Sequence, residues 1–213
     1  MLTVHHLGKS QSERIVWLCE ELAIPYELKL YERDRVTLLA PPEYKALHPT
    51  QAAPVIFDGD LVLAESGAIM EYIIAKYGRG RFTVPADHPD YPQYLYWFHA
   101  ANGTILPSLG RNMLMGMLNL TAENPRVAAL RARLERHLQM VEARLGEAPY
   151  FAGQEFTAAD IIMVFCLTTM RYFMPVNLTP FPNILAYLQR ISERPAYQRA
   201  MAKGDPGMAL LLT

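Results

Sequence analysis

Cysteine is nearly absent from this 213-residue chain, which holds two, Cys19 and Cys166. They lie far apart, each inside an apolar helical pattern, and so make no disulfide framework, zinc site or C-x-x-C redox pair. Both read as core residues. Excess charge of either sign is missing too: 20 Lys and Arg stand against 21 Asp and Glu, a net charge of −1. No global field is therefore available to attract nucleic acid or an anionic membrane. The amino terminus, MLTVHHLGKSQSERIVW, lacks the apolar centre of a signal peptide and carries Lys9, Glu13 and Arg14. Residues 91–110 contain no Asp, Glu, Lys or Arg, yet Pro92, Gln93, His99, Asn102 and Pro107 interrupt them. That stretch reads as a buried or interface-facing helix rather than a membrane span. These absences predict a cytoplasmic globular protein with no nucleic-acid partner, no membrane partner and no metal.

What is present is a core-forming composition, 51% hydrophobic and 19% charged, in a chain long enough for one large domain or two small ones. The first eighty residues mix periods. Residues 2–6 form a short apolar strand, and Ser12 can cap a helix whose Ile15, Leu18, Cys19 and Leu22 recur at helical spacing before Pro25 ends it. Residues 26–30 alternate like a half-buried strand. Strands at 55–57 and 61–63 flank the turn Asp58-Gly59-Asp60, and residues 68–77 form a helix closed by Gly78. The reading is β-α-β followed by β-β-α around a four-stranded sheet, over residues 1–80. A polar stretch over residues 79–90, with Gly80, Pro85 and Pro89, supplies a linker placed at 81–89. Residues 90–213 read as wholly helical. Asn124-Pro125 opens a long helix with Val127, Leu130, Leu134, Leu138, Val141 and Leu145 on one face and Gly146 as its stop. Thr157 to Asp160 is a capping-box start, a shorter helix spans 184–192, and Pro195 opens the last one.

Three segments of the first domain carry chemistry. The turn Leu7-Gly8-Lys9-Ser10-Gln11-Ser12 leads into a helix N-terminus, where backbone N–H groups and the dipole favour an anion. A serine hydroxyl there can donate a hydrogen bond to a thiolate brought by a ligand; equally, Ser10 and Ser12 suit a cap and a turn. In Gln51-Ala52-Ala53-Pro54, a proline opening a strand suits an edge, an unusual turn or a cis peptide. A cis bond would turn the Ala53 backbone outward to pair with an extended peptide. Glu65-Ser66 stands where a strand gives way to a helix; it can hold an α-amino group and an α-carboxylate, or act as a plain N-cap.

The order and spacing of these segments, with Trp17 to Leu22 in the first helix and Gly153-x-x-Phe156-Thr157-x-Ala159-Asp160 in the second half, resemble the cytosolic glutathione transferase family across nearly the whole chain. The likeness is to its serine-type, theta-like and bacterial members. It implies a thioredoxin-like N-terminal α/β domain, an all-α C-terminal domain and glutathione as co-substrate with no further cofactor. By this resemblance Ser10 is the residue that activates the thiol, Ser12 is its close rival, and His6 is a third candidate where other classes carry tyrosine. Ala53, beside a cis Pro54, pairs with the cysteinyl part of glutathione, while Glu65 and Ser66 hold the γ-glutamyl end. Two departures stand out. Gln51-Ala52 replaces the usual glycine and basic or amide residue, so Gln51 takes the glycyl carboxylate with weaker hold. No proline separates Ser10 from Arg14.

Residues 91–122 carry a single charge, Arg111, more apolar surface than one core-facing stripe needs. The excess predicts a subunit interface and the wall of a second-substrate pocket between the domains that includes Asn102, Leu106 and Met113; the family resemblance implies that the interface is that of a homodimer. The resulting expectation is a detoxifying transferase that joins glutathione sulfur to a hydrophobic electrophile. Glutathione-dependent reduction of disulfides or peroxides on the same fold is one alternative, and a non-catalytic binding protein is the other.

Overall fold

The computed structural model describes residues 1–213 and divides them into two compact units, Met1–Thr83 with Ser192–Ala209, and Val84–Ile191 with Leu210–Thr213. In the first unit β1 (Leu2–Leu7), α1 (Glu13–Leu22), β2 (Glu27–Tyr31), a short α2 (Pro42–Lys45), β3 (Val55–Asp58), β4 (Leu61–Ala64) and α3 (Ser66–Lys76) follow in order. The four strands lie in the order β2-β1-β3-β4, with β1 parallel to β2 and antiparallel to β3, and β3 antiparallel to β4. This is the mixed sheet expected of a thioredoxin-like domain. β1 is buried along its whole length, because sheet neighbours flank it on both sides. Leu2, Val4, Ile15, Leu18, Ile56, Ile69 and Ile73 fill the core around it.

Two local details differ from the sequence reading. Ser12 stands at the N-cap of α1, but its side chain makes no cap bond; it turns back toward β1. The third helix begins at Ser66, two residues earlier than expected, because Glu65 adopts φ 72° and breaks the strand sharply.

The first unit also takes in α9 (Pro195–Gly204), a segment that the sequence reading gave to the helical domain. The cause lies on one face of α1. Trp17 meets the Tyr197 ring edge-on at 4.9 Å, and Arg194 binds Glu21 through two bonds of 2.8 and 2.9 Å. Arg199 and Lys203 both reach Glu20.

At the far end of β3, Asp58 Oδ2 accepts from Tyr72 at 2.8 Å, Lys76 at 2.7 Å and Tyr77 at 2.5 Å. The Lys76 ammonium and the phenols hold the Asp58 carboxyl well below the usual range, at about 2. A depressed carboxyl stabilises the fold above its unfolded value and loses that contribution as pH falls through the folded one. Asp58→Asn is therefore expected to lower stability by about 1 kcal/mol at neutral pH, the pair being partly screened by solvent. The difference from the unsubstituted chain should vanish between pH of about 4 and 2, read by denaturant titration across that range.

In the second unit α4 (Tyr91–Ala100), a π-helical turn (Ala101–Ile105), α5 (Leu106–Met117), α6 (Pro125–Glu147), α7 (Ala158–Leu167), a 3-10 turn (Thr169–Tyr172) and α8 (Pro182–Ser192) follow. Pro107 has no N–H for the carbonyl four residues back, which accounts for the wide turn before it. Every residue of α7 is buried. The Thr157 and Asp160 capping box is formed as expected, and the Asn124 side chain accepts from the Arg126 N–H at the start of α6. Gly146 does not stop α6, which runs to Glu147 and ends at Ala148. No helix of the molecule is long and apolar enough to cross a membrane.

Candidate active site

Sheet register gathers the three predicted segments. His5 of β1 pairs with Val55, the first residue of β3, and Val55 pairs with Ala64, the last of β4. The turn after β1, the segment before β3 and the segment after β4 therefore emerge at one end of the sheet. Each contains a non-glycine residue at positive φ: Lys9 at 52°, Gln51 at 53° and Glu65 at 72°. Such backbone costs about 1–3 kcal/mol per residue and tends to persist at ligand sites.

Within the turn, Ser10 and Ser12 play different parts. Ser12 has no exposed surface, and its Oγ accepts from the Leu7 N–H at 3.1 Å and lies 3.0 Å from His6 Nδ1. Ser10 Oγ lies 2.7 Å from Ser12 Oγ and accepts from the Ser12 N–H at 3.2 Å. Ser10 keeps 4% of its surface open, at the mouth of α1. Strand alternation separates the two histidines. His6 faces Ser12, and its Nε2 lies 3.0 Å from Asp205 Oδ2. His5 instead sits against Phe57, ring centroids 4.4 Å apart, with Nδ1 2.9 Å from the Tyr31 hydroxyl.

The Ala53–Pro54 bond is cis. Pro54 is buried, Ala53 is half-buried and Gln51 is exposed. Glu65 is exposed, while Ser66 at the first turn of α3 is buried. Its hydroxyl accepts from Arg14 Nη1 at 3.2 Å, and the same nitrogen donates to Gln11 Oε1 at 2.6 Å. One buried guanidinium thus ties the turn after β1 to the start of α3. Asn102, Leu106 and Met113 lie in the other unit and are half-buried. None of the three lines a cavity of about 510 Å³ in that unit, which Asn112, Gly116, Leu134, Leu138, Met174 and Phe181 help to line.

Sequence reasoning missed Arg14 and Asp205. Arg14 had a signal: it falls in step with Leu18 and Leu22 on the buried face of α1, where a lone arginine needs a partner. Asp205 had none, since its site partner is 199 residues away.

Comparison with known proteins gives this geometry its family. The model described as "Glutathione S-transferase, N-terminal domain" matches residues 1–75, and that described as "Glutathione S-transferase, C-terminal domain" matches residues 96–195. Glutathione S-transferase 3 of Schizosaccharomyces pombe is 32% identical, over 100% of this chain and 92% of its own. The chain belongs to the glutathione S-transferase family. Among solved structures, a glutathione S-transferase from Actinobacillus pleuropneumoniae superposes with a TM-score of 0.88 at 35% identity, covering 96% of this chain and 93% of its own. A theta class glutathione S-transferase from Xanthomonas axonopodis pv. citri, solved with glutathione bound, has a TM-score of 0.70 at 25% identity, covering 100% and 99%. As a family member the chain is a two-part molecule with a four-stranded mixed sheet followed by helices. Buried Cys19 lies in α1, and burial pushes its thiol up, which leaves it inert as a nucleophile.

Proposed function

We propose that this glutathione transferase joins the sulfur of glutathione to a small hydrophobic electrophile, with Ser10 keeping the sulfur ionised. The observation that carries the reading is the Ser10 hydroxyl at the N-terminal mouth of α1, at the sheet end that also bears cis Pro54 and Ser66. A free thiol titrates near about 8.5. A hydroxyl donor together with the positive end of a helix favours its anion at neutral pH. The thiol proton leaves to solvent, the thiolate attacks the electrophilic carbon, and the displaced group departs with the bonding electrons. Glutathione is the co-substrate, and no further cofactor enters the scheme.

In this reading Ala53 pairs its backbone with the cysteinyl part of glutathione, and Gln51 meets the glycyl carboxylate. Glu65 and Ser66 take the γ-glutamyl end. The Arg14 bond to Ser66 supports this role, since it holds the hydroxyl in place and brings a buried positive charge beside it. Ser66→Ala is expected to raise KM for glutathione about tenfold with little change in kcat, because the lost bond to a charged group serves binding alike before and during reaction. Initial rates across a glutathione series measure it.

Asn102, Leu106 and Met113 form part of the electrophile's wall in the same proposal, and their half-burial leaves surface that core packing has not consumed. A homodimer fits the exposed apolar side chains. Leu114, Met117 and Leu118 are 54%, 71% and 69% exposed in the helical unit, and Leu61 and Val62 lie open on the edge strand β4. Two buried free thiols suit the reducing cytoplasm, where conjugation would serve detoxification.

Retention on immobilised glutathione, together with conjugation of a chlorinated nitrobenzene, tests the function. Absence of both would overturn it. Turnover confined to hydroxyethyl disulfide or an organic hydroperoxide would make the enzyme a reductase instead.

A further inference from the structure

The buried contacts behind Ser10 form an unbroken chain. Asp205 Oδ2 meets His6 Nε2 at 3.0 Å, His6 Nδ1 meets Ser12 Oγ at 3.0 Å, and Ser12 Oγ meets Ser10 Oγ at 2.7 Å. Its members are close to dry: His6 and the Asp205 side chain are 1% and 7% exposed. Gly204, at the end of α9, permits the approach, since a Cβ there would stand 3.2 Å from the His6 ring. Asp205 is itself oriented by the Lys9 N–H, which donates to Oδ1 at 2.8 Å.

Ser12 Oγ also lies 3.4 Å from the Leu7 carbonyl, the longest of its contacts; with its hydrogen kept on the shorter ones, counting hydrogens along the chain leaves two arrangements. A carboxylate only accepts, so His6 Nε2 carries a hydrogen. Ser12 Oγ already accepts from the Leu7 N–H, and Ser10 Oγ from the Ser12 N–H. If Nδ1 also carries a hydrogen, it donates to Ser12, Ser12 donates to Ser10, and the Ser10 hydrogen points outward. If Nδ1 is bare, it accepts from Ser12. Ser10 must then spend its hydrogen on Ser12 and shows the ligand a lone pair.

Resting on the proposed thiolate role of Ser10, we propose that Asp205 and His6 are positioning residues that act through Ser12 to set which way the Ser10 hydroxyl points. With His6 doubly protonated, Ser10 stabilises a thiolate; with Nδ1 bare, it accepts from a neutral thiol. No proton travels the chain, and the thiol proton goes to solvent. The charged group in contact with His6 is Asp205 beyond α9; Arg33 after β2 senses the Asp205 charge, and α1, which follows the turn, begins with the buried Glu13 and Arg14. Arg33 is engaged with the carbonyls of Gly8, Lys9 and Leu38, and Lys203 on α9 with Glu20.

Linkage supplies the test, since a ring charge that favours thiolate must be favoured by thiolate in return. The His6 ring is titrated by NMR in the free protein, with saturating glutathione, and with S-methylglutathione, which has no thiol. Glutathione is expected to raise the His6 midpoint by about one pH unit, a tenfold coupling, and S-methylglutathione to leave it near the free value. Direct attraction between sulfur and ring would survive Ser12→Ala; the hydroxyl chain would not, so the rise disappears in that variant. In Asp205→Asn the amide accepts from Lys9 and donates to Nε2. Nδ1 then keeps its hydrogen in either charge state, and the rise disappears again; this near-isosteric change carries the test should Ser12→Ala fail to fold. Equal shifts from both ligands, or a rise that survives the substitutions, would overturn the relay alone. Calorimetry that finds no glutathione binding would overturn the proposed function and the relay with it.

Discussion

Ser10→Ala is expected to lower kcat/KM for conjugation on the order of a hundredfold, the usual cost of removing one preorganised donor from a developing or resident anion. The loss should fall mainly on the sulfur. At fixed saturating glutathione, the ultraviolet absorbance of bound thiolate should need a higher pH to appear, because the hydroxyl no longer favours the charged form. Retention on immobilised glutathione should persist, since Ala53, Glu65 and Ser66 are untouched. Ser12→Ala is expected to cost less, about tenfold, because Ser12 has no exposed surface and reaches a ligand only through Ser10. The reverse ranking, with Ser10→Ala at the unsubstituted rate, would remove Ser10 from the mechanism and leave Ser12 or His6 in its place.

The largest loss of stability is expected from Asp160→Ala. Asp160 is wholly buried at the first turn of α7, where burial pushes its carboxyl up to about 6. Four donors oppose that rise: the N–H groups of Phe151 at 3.0 Å and Thr157 at 2.8 Å, and the hydroxyls of Thr157 at 3.3 Å and Tyr187 at 3.2 Å. Alanine strands all four without water to replace the acceptor, a loss of about 3–5 kcal/mol. For a chain of this size that lowers Tm by roughly 10 °C or more, measurable by calorimetry. Thr157→Ala removes the cap acceptor of the Ala159 N–H and the longest of the four bonds to Asp160, and is expected to cost about 1 kcal/mol. A Tm change for Asp160→Ala no larger than that of Thr157→Ala would show that the buried bonds of Asp160 to Phe151 and Tyr187 add nothing to the stability of the helical unit. Asp160 touches no residue of the candidate active site, so the conjugation rate per folded molecule should be unaffected.

Both predictions start from features that were visible in the chain itself, and the contrast with what was not visible has a physical basis. The capping box at Thr157, the Asn124-Pro125 start of α6, the Asp58-Gly59-Asp60 turn and the helical stripe of α1 are local. Each is decided by hydrogen bonds or side-chain spacing within a few residues, so sequence period and cap chemistry specify them. The end of α6 was misjudged because Gly146 is a stop only where the backbone turns left-handed, and the helix passes through it to Glu147. Ser12 holds the N-cap position as expected but makes no cap bond, because its hydroxyl has competing partners and β1 supplied nearer ones.

By itself, then, the amino-acid order determined the α/β half, the helical half, and the three segments on which a tripeptide thiol is proposed to sit. Only the folded chain decided how those segments are held. It chose His6 over His5 through strand facing, joined Arg14 to Ser66 across 52 residues, and carried the last helix back to α1. Such pairings depend on which surfaces remain uncovered once the sheet and helices have packed, and no local spacing encodes that.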